Sequence, residues 1–188
     1  MSRLVVEALR LQDVKLIRPP KFGDERGFFS ELYSQRSLAE HGIRDSFVQD
    51  NCSLSAEPGT IRGMHFQLPP EAQAKLVRVE RGAIFDAFVD LRRHSPTFGQ
   101  AGWTELRAED WTQLYVPAGF AHGLCTLEPG TIVHYKVSAF YAPTLDRGIL
   151  WNDPALGIPW PEAAGQAIVS DKDRVQPRLA DVIDGLPF

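Results

Sequence analysis

The 188-residue chain has only two cysteines, Cys52 and Cys125, far apart and without Cys-x-x-Cys spacing. Their scarcity excludes a disulfide framework and a zinc-thiolate site, and it fits a reducing, cytoplasmic location with both thiols in inert roles. Long apolar runs are missing too. None approaches the ~20 residues of a membrane span. Met1 to Val14 is interrupted by Arg3, Glu7, Arg10 and Asp13, where a signal peptide would keep an unbroken apolar stretch. Positive charge is in deficit, with 20 Lys and Arg against 24 Asp and Glu and a formal net charge of -4. The basic residues are scattered rather than gathered in a stripe, so no nucleic-acid footprint is expected and no membrane partner. Repeats, linkers and low-complexity tracts are absent, and the length suits one domain over residues 1–188 that buries its own core.

Helix signals are also sparse. Ser34 to Glu40 reads as one short helix closed by Gly42, and other helices are expected only after Pro154. What fills the chain instead is a succession of short β-type runs: Val14–Arg18, Phe28–Tyr33, Ser46–Leu54, Thr60–Phe66, Lys75–Glu80, Ala83–Leu91, Gly102–Leu106, Gln113–Val116, Gly123–Leu127 and Thr131–Ser138. Gly, Pro and Asp punctuate them, as at Pro58-Gly59, Pro69-Pro70, Arg81-Gly82 and Pro129-Gly130. This is the pattern of an all-β antiparallel sandwich or barrel. The last stretch, dense in Pro, Trp and Asp, reads as a wrap over that barrel.

Gly59-Thr60-Ile61-Arg62-Gly63-Met64-His65-Phe66-Gln67 stands out, because two glycines, an arginine and a histidine interrupt an apolar strand. A histidine can exchange a proton near neutrality or ligate a metal, or it can simply sit hydrogen-bonded in a core. Strict alternation puts Arg62 and His65 on opposite faces, so a shared pocket requires a bulge, for which Gly63 is the candidate. In Ala83–Leu91, alternation puts Phe85, Ala87, Val89 and Leu91 on one face and Asp86, Phe88 and Asp90 on the other. If the second face is interior, Asp86 needs a donor or cation there, because an unpaired buried carboxylate is costly.

The spacings Gly59-(x5)-His65-x-Gln67 and Pro117-x-Gly119-x-x-His122 resemble the two motifs of the cupin superfamily, small jelly-roll barrels whose metal-binding members carry His-x-His and a Glu in the first motif and a His in the second. Here Gln67 replaces the second histidine and Lys75 takes the place of the glutamate. A catalytic metal needs about three protein ligands, and an ammonium repels a dication, so no metal is expected.

Across nearly its whole length the chain resembles the nucleotide-sugar 3,5-epimerases of the dTDP-4-dehydrorhamnose 3,5-epimerase family. The matching segments include Gly23-Asp24-Glu25-Arg26-Gly27-Phe28-Phe29, Phe47-Val48-Gln49-Asp50-Asn51, Arg62-Gly63-Met64-His65-Phe66-Gln67, Lys75-Leu76-Val77-Arg78, Pro117-x-Gly119-Phe120-Ala121-His122-Gly123, Tyr135-Lys136, Trp151-Asn152-Asp153-Pro154 and Ser170-Asp171-Lys172-Asp173. The resemblance implies a cupin-type antiparallel jelly roll with a few short helices and a C-terminal wrap. It also implies a dTDP-linked 4-keto-6-deoxyhexose substrate, no cofactor, and a homodimer. By resemblance His65 is the base, Asp171 its orienting partner, Tyr135 the opposing acid and Lys75 the cation that stabilises the enolate. Arg26, Arg62 and Lys172 match positions for the diphosphate, with Glu31, Gln49, Asn51, His122 and Asp146 as further polar contacts. Tyr141 could stack on sugar or base, or pack in the core. Asp86 is a rival to Asp171 for orienting His65, or a partner for Lys75. Four other readings compete: an epimerase inverting C3 or C5 alone, one using another nucleotide such as CDP, a non-catalytic sugar-nucleotide-binding cupin, and a sugar ketoisomerase on the same fold, which would not need a tyrosine acid on the far face.

Overall fold

The computed structural model describes residues 4–188. Met1 and Arg3 of the N-terminal segment discussed above lie outside them. The strands are β1 Val5–Ala8, β2 Lys15–Arg18, β3 Phe22–Asp24, β4 Gly27–Phe29, β5 Gln49–Ser55, β6 Thr60–Gln67, β7 Lys75–Arg81, β8 Ala83–Asp90, β9 Ala101–Arg107, β10 Gln113–Val116, β11 Phe120–Thr126, β12 Thr131–Val137, β13 Asp146–Gly148 and β14 Ile168–Val169. Three short helices, α1 Gln35–Ala39, α2 Asp171–Arg174 and α3 Leu179–Val182, accompany them, with single 3-10 turns in the C-terminal stretch. Among the described residues no helix is long and apolar enough to cross a membrane.

Two sheets face each other. One has the order β1-β2-β10-β7-β12-β5, the other β13-β6-β11-β8-β9 with β14 added in parallel to β6, and β3–β4 form a separate hairpin. The strands of each sheet are otherwise antiparallel, so the expected all-β antiparallel architecture is the one that forms.

Alternation divides the second sheet into two faces with different neighbours. Ile84 and Phe88 point inward and pack with Val77, Leu114, Phe120, Leu124 and Val133 between the sheets. Phe85, Ala87, Val89 and Leu91 point outward, where the C-terminal wrap covers them through Ile149, Leu156, Ala164, Leu179 and Leu186. Trp160 packs on Phe85 at 5.5 Å between ring centroids, and its indole N–H donates to the Trp151 carbonyl at 2.8 Å. Burying each such large apolar side chain is worth about 1.5–3 kcal/mol, so the wrap is held by packing rather than by its one-turn helices.

The two inner-face acids of β8 are both fully buried. Asp90 accepts from Arg92, Ser95 and Thr97. Burial would raise its pKa, but these donors outweigh that and hold it down at about 2. Asp86 belongs to the functional site.

The α1 helix begins where expected, with the Ser34 hydroxyl accepting from the Ser37 N–H, and Gly42 follows in the left-handed region. The expected strand Phe28–Tyr33 is shorter. Pairing stops at Phe29, and the chain leaves the hairpin towards α1, with the Leu32 carbonyl accepting from Gln113. β1, β3, β13 and β14 were not expected. They are two to four residues long; β1 and β3 pair with the strands that follow them, while β13 and β14 gain order from β6, distant in sequence.

Candidate active site

A cavity of about 100 Å³ lies between the sheets, lined by Ser53, Arg62, His65, Lys75, Val77, His122, Leu124, Val133 and Tyr135. Arg62 and His65 both face it. In the β6–β11 ladder His65 lies opposite His122 and Arg62 opposite Leu124, so Gly63 and Met64 together face the single Gly123. This is the bulge that a shared pocket required. Gly63 has φ +127 and a cis peptide to Met64, and a Cβ on it would come within 2.5 Å of the Gly123 Cα. Only glycine fits there. Met64 meanwhile turns outward into the core under the wrap.

The partner of His65 corrects the expected one. His65 Nε2 is 2.5 Å from Asp173 Oδ1, while Asp171 is exposed at the first position of α2. The Ser170 hydroxyl caps the helix at the Asp173 N–H, at 3.1 Å, and the turn directs position 173 inward and position 171 to solvent. The bulge contributes as well, because the Gly63 N–H donates to Asp173 Oδ2 at 3.4 Å. Burial pushes the Asp173 pKa upward, but hydrogen bonds and charge from His65, with the Gly63 and Ser170 contacts, bring it below the ordinary carboxylate value. An ionised Asp173 accepting from Nε2–H leaves the Nδ1 lone pair of His65 free.

Asp86 does not orient His65. It pairs with His122, at 2.7 Å between Oδ1 and Nε2, which supplies the donor that an inward-facing acid needs. Its Oδ2 is buried without a protein hydrogen-bond partner. Lys75 projects from β7, and its Nζ donates to the His65 carbonyl at 3.4 Å. Burial pushes the Lys75 ammonium down to about 8, with the charges of Asp146 and Asp86 partly opposing the drop. Tyr135 comes from β12 in the other sheet. Burial raises its phenol, the Arg62 charge lowers it, and the Asp146 charge raises it.

The other expected contacts divide into two groups. Gln49, Asn51, Tyr141, Asp146 and Lys172 form a bonded chain outside the cavity lining, linked to it by the Asp146 charge, which acts on Lys75 and Tyr135. Gln49 Nε2 donates to Asn51 Oδ1 at 2.8 Å, and the Tyr141 N–H donates to Gln49 Oε1 at 3.1 Å. The Tyr141 hydroxyl donates to Asp146 at 3.2 Å, and Lys172 pairs with the same carboxylate. Arg26 and Glu31 are not brought to the cavity. Arg26 sits at the tip of the β3–β4 hairpin, its side chain 84% exposed and paired with Asp24. Glu31 accepts from the Ser37 hydroxyl on α1.

Sequence reasoning missed Asp173, and also Ser53, whose side chain lines the cavity from β5. For Asp173 the available signal was the Ser170 cap, which starts a helical turn and so separates positions 171 and 173 in direction without saying which of them faces inward. For Ser53 only the β5–β12 register, with Ser53 opposite Val133, identifies the face.

The donor set does not fit a metal. The cavity lining offers two imidazoles but no third imidazole and no carboxylate, Lys75 places an ammonium beside them, and Gln67 spends its amide on backbone groups. Among the described residues no group of three or more His, Cys, Asp or Glu side chains is arranged to hold an ion.

The geometry has counterparts in known proteins. A family model described as dTDP-4-dehydrorhamnose 3,5-epimerase matches residues 8–181. A dTDP-4-dehydrorhamnose 3,5-epimerase of Sinorhizobium fredii is 49% identical over 182 residues, covering 97% of this chain and 93% of the relative. The crystal structure of the enzyme of that name from Bacillus anthracis, with TDP and PPi bound, superposes with a TM-score of 0.90 at 53% identity, covering 94% of this chain and 99% of that one. A dTDP-6-deoxy-D-glucose-3,5-epimerase from Legionella pneumophila, in complex with dTDP-4-keto-L-rhamnose, gives 0.88 at 39% identity, covering 95% and 94%. The fold is therefore the cupin-type jelly roll of these isomerases, and the chain belongs to the dTDP-4-dehydrorhamnose 3,5-epimerase family.

Proposed function

We propose that the chain epimerises a dTDP-4-keto-6-deoxyhexose at C3 and C5, without a cofactor, by proton abstraction and reprotonation through an enolate. The observation that carries this reading is the placement of a base and an acid on opposite sheets around one cavity: His65 on β6 and Tyr135 on β12. A sugar ring held between them meets the base on one face and the acid on the other, which is what inversion at carbon demands.

The C3 and C5 hydrogens flank the C4 ketone, so removing either one places negative charge on the ketone oxygen. His65 Nδ1 takes the proton, and Asp173 stabilises the imidazolium that results. Lys75, charged below about pH 8, favours the enolate over the neutral ketone because a fixed cation in a low-dielectric cavity gains most where negative charge develops. Tyr135 returns a proton from the opposite side. With its pKa raised it is still protonated at neutral pH and can donate. His122, held by Asp86, offers its remaining ring nitrogen to the sugar.

Arg62 and Lys172 flank the cavity and its rim, which suits a diphosphate through the fork of the one and the point charge of the other. Arg26 and Glu31 lie elsewhere, and a second copy of the chain would be needed to bring them to a substrate. The homodimer is part of the proposal for that reason, supported by the exposed Phe22, Phe28 and Phe29 on the same hairpin. A cytoplasmic location completes it and is consistent with the two free cysteines.

The test is solvent-deuterium exchange on dTDP-4-keto-6-deoxyglucose, followed by NMR, with the CDP-linked sugar in parallel. Label at C3 and C5 with both centres inverted is the expected result. Label at one carbon would leave a single-site epimerase, faster exchange into the CDP sugar would reassign the nucleotide, and no label would leave a binding protein.

A further inference from the structure

Gln67 stands two residues beyond His65 on the same face of β6, buried, yet it does not line the cavity. Its amide is fully used. Nε2 donates to the carbonyls of Glu71 at 2.7 Å and Phe140 at 3.1 Å, and Oε1 accepts from the Ala142 N–H at 2.8 Å. Two carbonyl acceptors on one end and an N–H donor on the other permit only one orientation of the side chain. Between Phe140 and Ala142 lies Tyr141, exposed and bonded through its hydroxyl to Asp146, whose charge acts on Lys75 and Tyr135 in the cavity. The Tyr141 N–H is itself held by Gln49 from the opposite sheet. Three consecutive residues of this loop are thus pinned through their backbone by two glutamines, one from each sheet.

We propose that Gln67 is a positioning residue that latches residues 140–142 and thereby fixes Tyr141 as a preformed wall for the nucleotide sugar. This rests on the reading of the cavity given above. Gln67 does not touch the reacting carbons. Its contribution is to order the loop before substrate arrives, because a loop that must be ordered by the ligand subtracts that cost from affinity. The position demands a side chain that both donates twice and accepts. Glutamate keeps only the acceptor, and methionine fills the volume with neither.

The experiment compares wild type with Gln67→Met and Gln67→Glu. In the substrate-free protein, loss of the latch is expected to speed deuterium uptake in the 139–146 peptide about tenfold for Gln67→Met, the scale of one to two buried hydrogen bonds, with the peptides of β7, β8 and β11 unchanged. Gln67→Glu, which keeps an acceptor for the Ala142 N–H, is expected to fall between the two. Unchanged uptake at 139–146, or an equal rise across the sheets, would overturn the latch. In turnover, Gln67→Met is expected to raise KM about tenfold while kcat stays within about threefold, and this KM effect should vanish in a Tyr141→Ala background. A fall in kcat with KM unchanged, or full additivity with Tyr141→Ala, would equally overturn it. If Gln67→Met does not fold, Gln67→Glu carries both comparisons. Should the wild type turn nothing over, deuterium uptake still reads the latch, so failure of the functional reading and failure of this inference remain distinguishable.

Discussion

Two histidine–carboxylate pairs face each other across the β6–β11 ladder, and they are built for opposite ends. His65 is 31% exposed at its side chain and draws Asp173 from the C-terminal wrap, a long-range partner on a capped turn. His122 is 10% exposed and draws Asp86 from the neighbouring strand β8, inside the sheet that holds both. The first pair is reachable by a substrate and keeps a ring nitrogen free towards the cavity. The second is set deeper: His122 binds Oδ1 of an inward-facing acid whose Oδ2 stays unpaired, while its ring lines the cavity from the side of β11. Under the proposed mechanism, identical chemical groups divide into a proton-transfer pair and an orienting pair through burial and connectivity alone.

The largest effect should come from the reachable pair. His65→Asn is expected to lower kcat by about 10³–10⁴ and to stop solvent exchange at both carbons, with dTDP affinity by calorimetry changed less than about threefold. Asp173→Asn should cost roughly 10²–10³ by leaving the imidazolium unsupported and its tautomer unset. Asp171→Asn, on the exposed side of the same turn, should stay within about twofold because it touches none of the reacting groups. Reversed sensitivities at 171 and 173 would undo the assignment of Asp173.

The buried pair should respond in stability more than in turnover. His122→Leu strips Asp86 of the donor to Oδ1 while Oδ2 already lacks one, leaving a carboxylate fully buried without a protein hydrogen bond. A loss of about 2–4 kcal/mol in urea denaturation is expected, against less than about 1 kcal/mol for His65→Asn, whose Asp173 keeps the Gly63 N–H. Activity at a temperature where the variant is folded should fall only about 10–100-fold, mostly in KM. Equal stability losses for the two variants would remove the distinction between the pairs.

This contrast marks what the sequence could and could not reveal. Alternation along Ala83–Leu91 put Asp86 on the same side as Phe88, and the partner it demanded exists, although the register, which sets Asp86 opposite Leu124 and His122 opposite Phe88, shows that the bond to His122 runs diagonally between β8 and β11. The conflict between Arg62 and His65 was visible as a parity problem, and Gly63 was its visible solution, because a two-residue strand period leaves no other way to one face. Asp173 was hidden because Asp171 and Asp173 differ only by their place on one turn of helix, and a turn started by a capping serine carries no apolar period to orient it. β14 was hidden for a related reason: two residues pairing in parallel with β6 leave no local pattern. Arg26 and Glu31 matched by motif but lie on the hairpin and beside α1, since motif position says nothing about distance through space.

The smallest expected effect links the two pairs through Lys75, whose Nζ bonds the His65 carbonyl and feels the charge of Asp86. Because burial sets its pKa at about 8, the alkaline limb of kcat/KM should fall with a midpoint near pH 8 and belong to Lys75, not to Tyr135, whose phenol is raised. The Asp86 charge favours the ammonium, so Asp86→Asn should move that limb to lower pH, by less than about one unit at the effective dielectric of such sites. The stability signature has a defined sign. The folded pKa of Lys75 is depressed, so between about pH 8 and the unfolded value of 10.5 the unfolded chain holds the extra proton and folding gains stability as pH rises. Wild type measured against Lys75→Met should therefore improve across that window and show no trend from this residue below it. A limb that Asp86→Asn leaves in place would mean that Asp146, and not Asp86, supplies the charge that opposes the desolvation of Lys75.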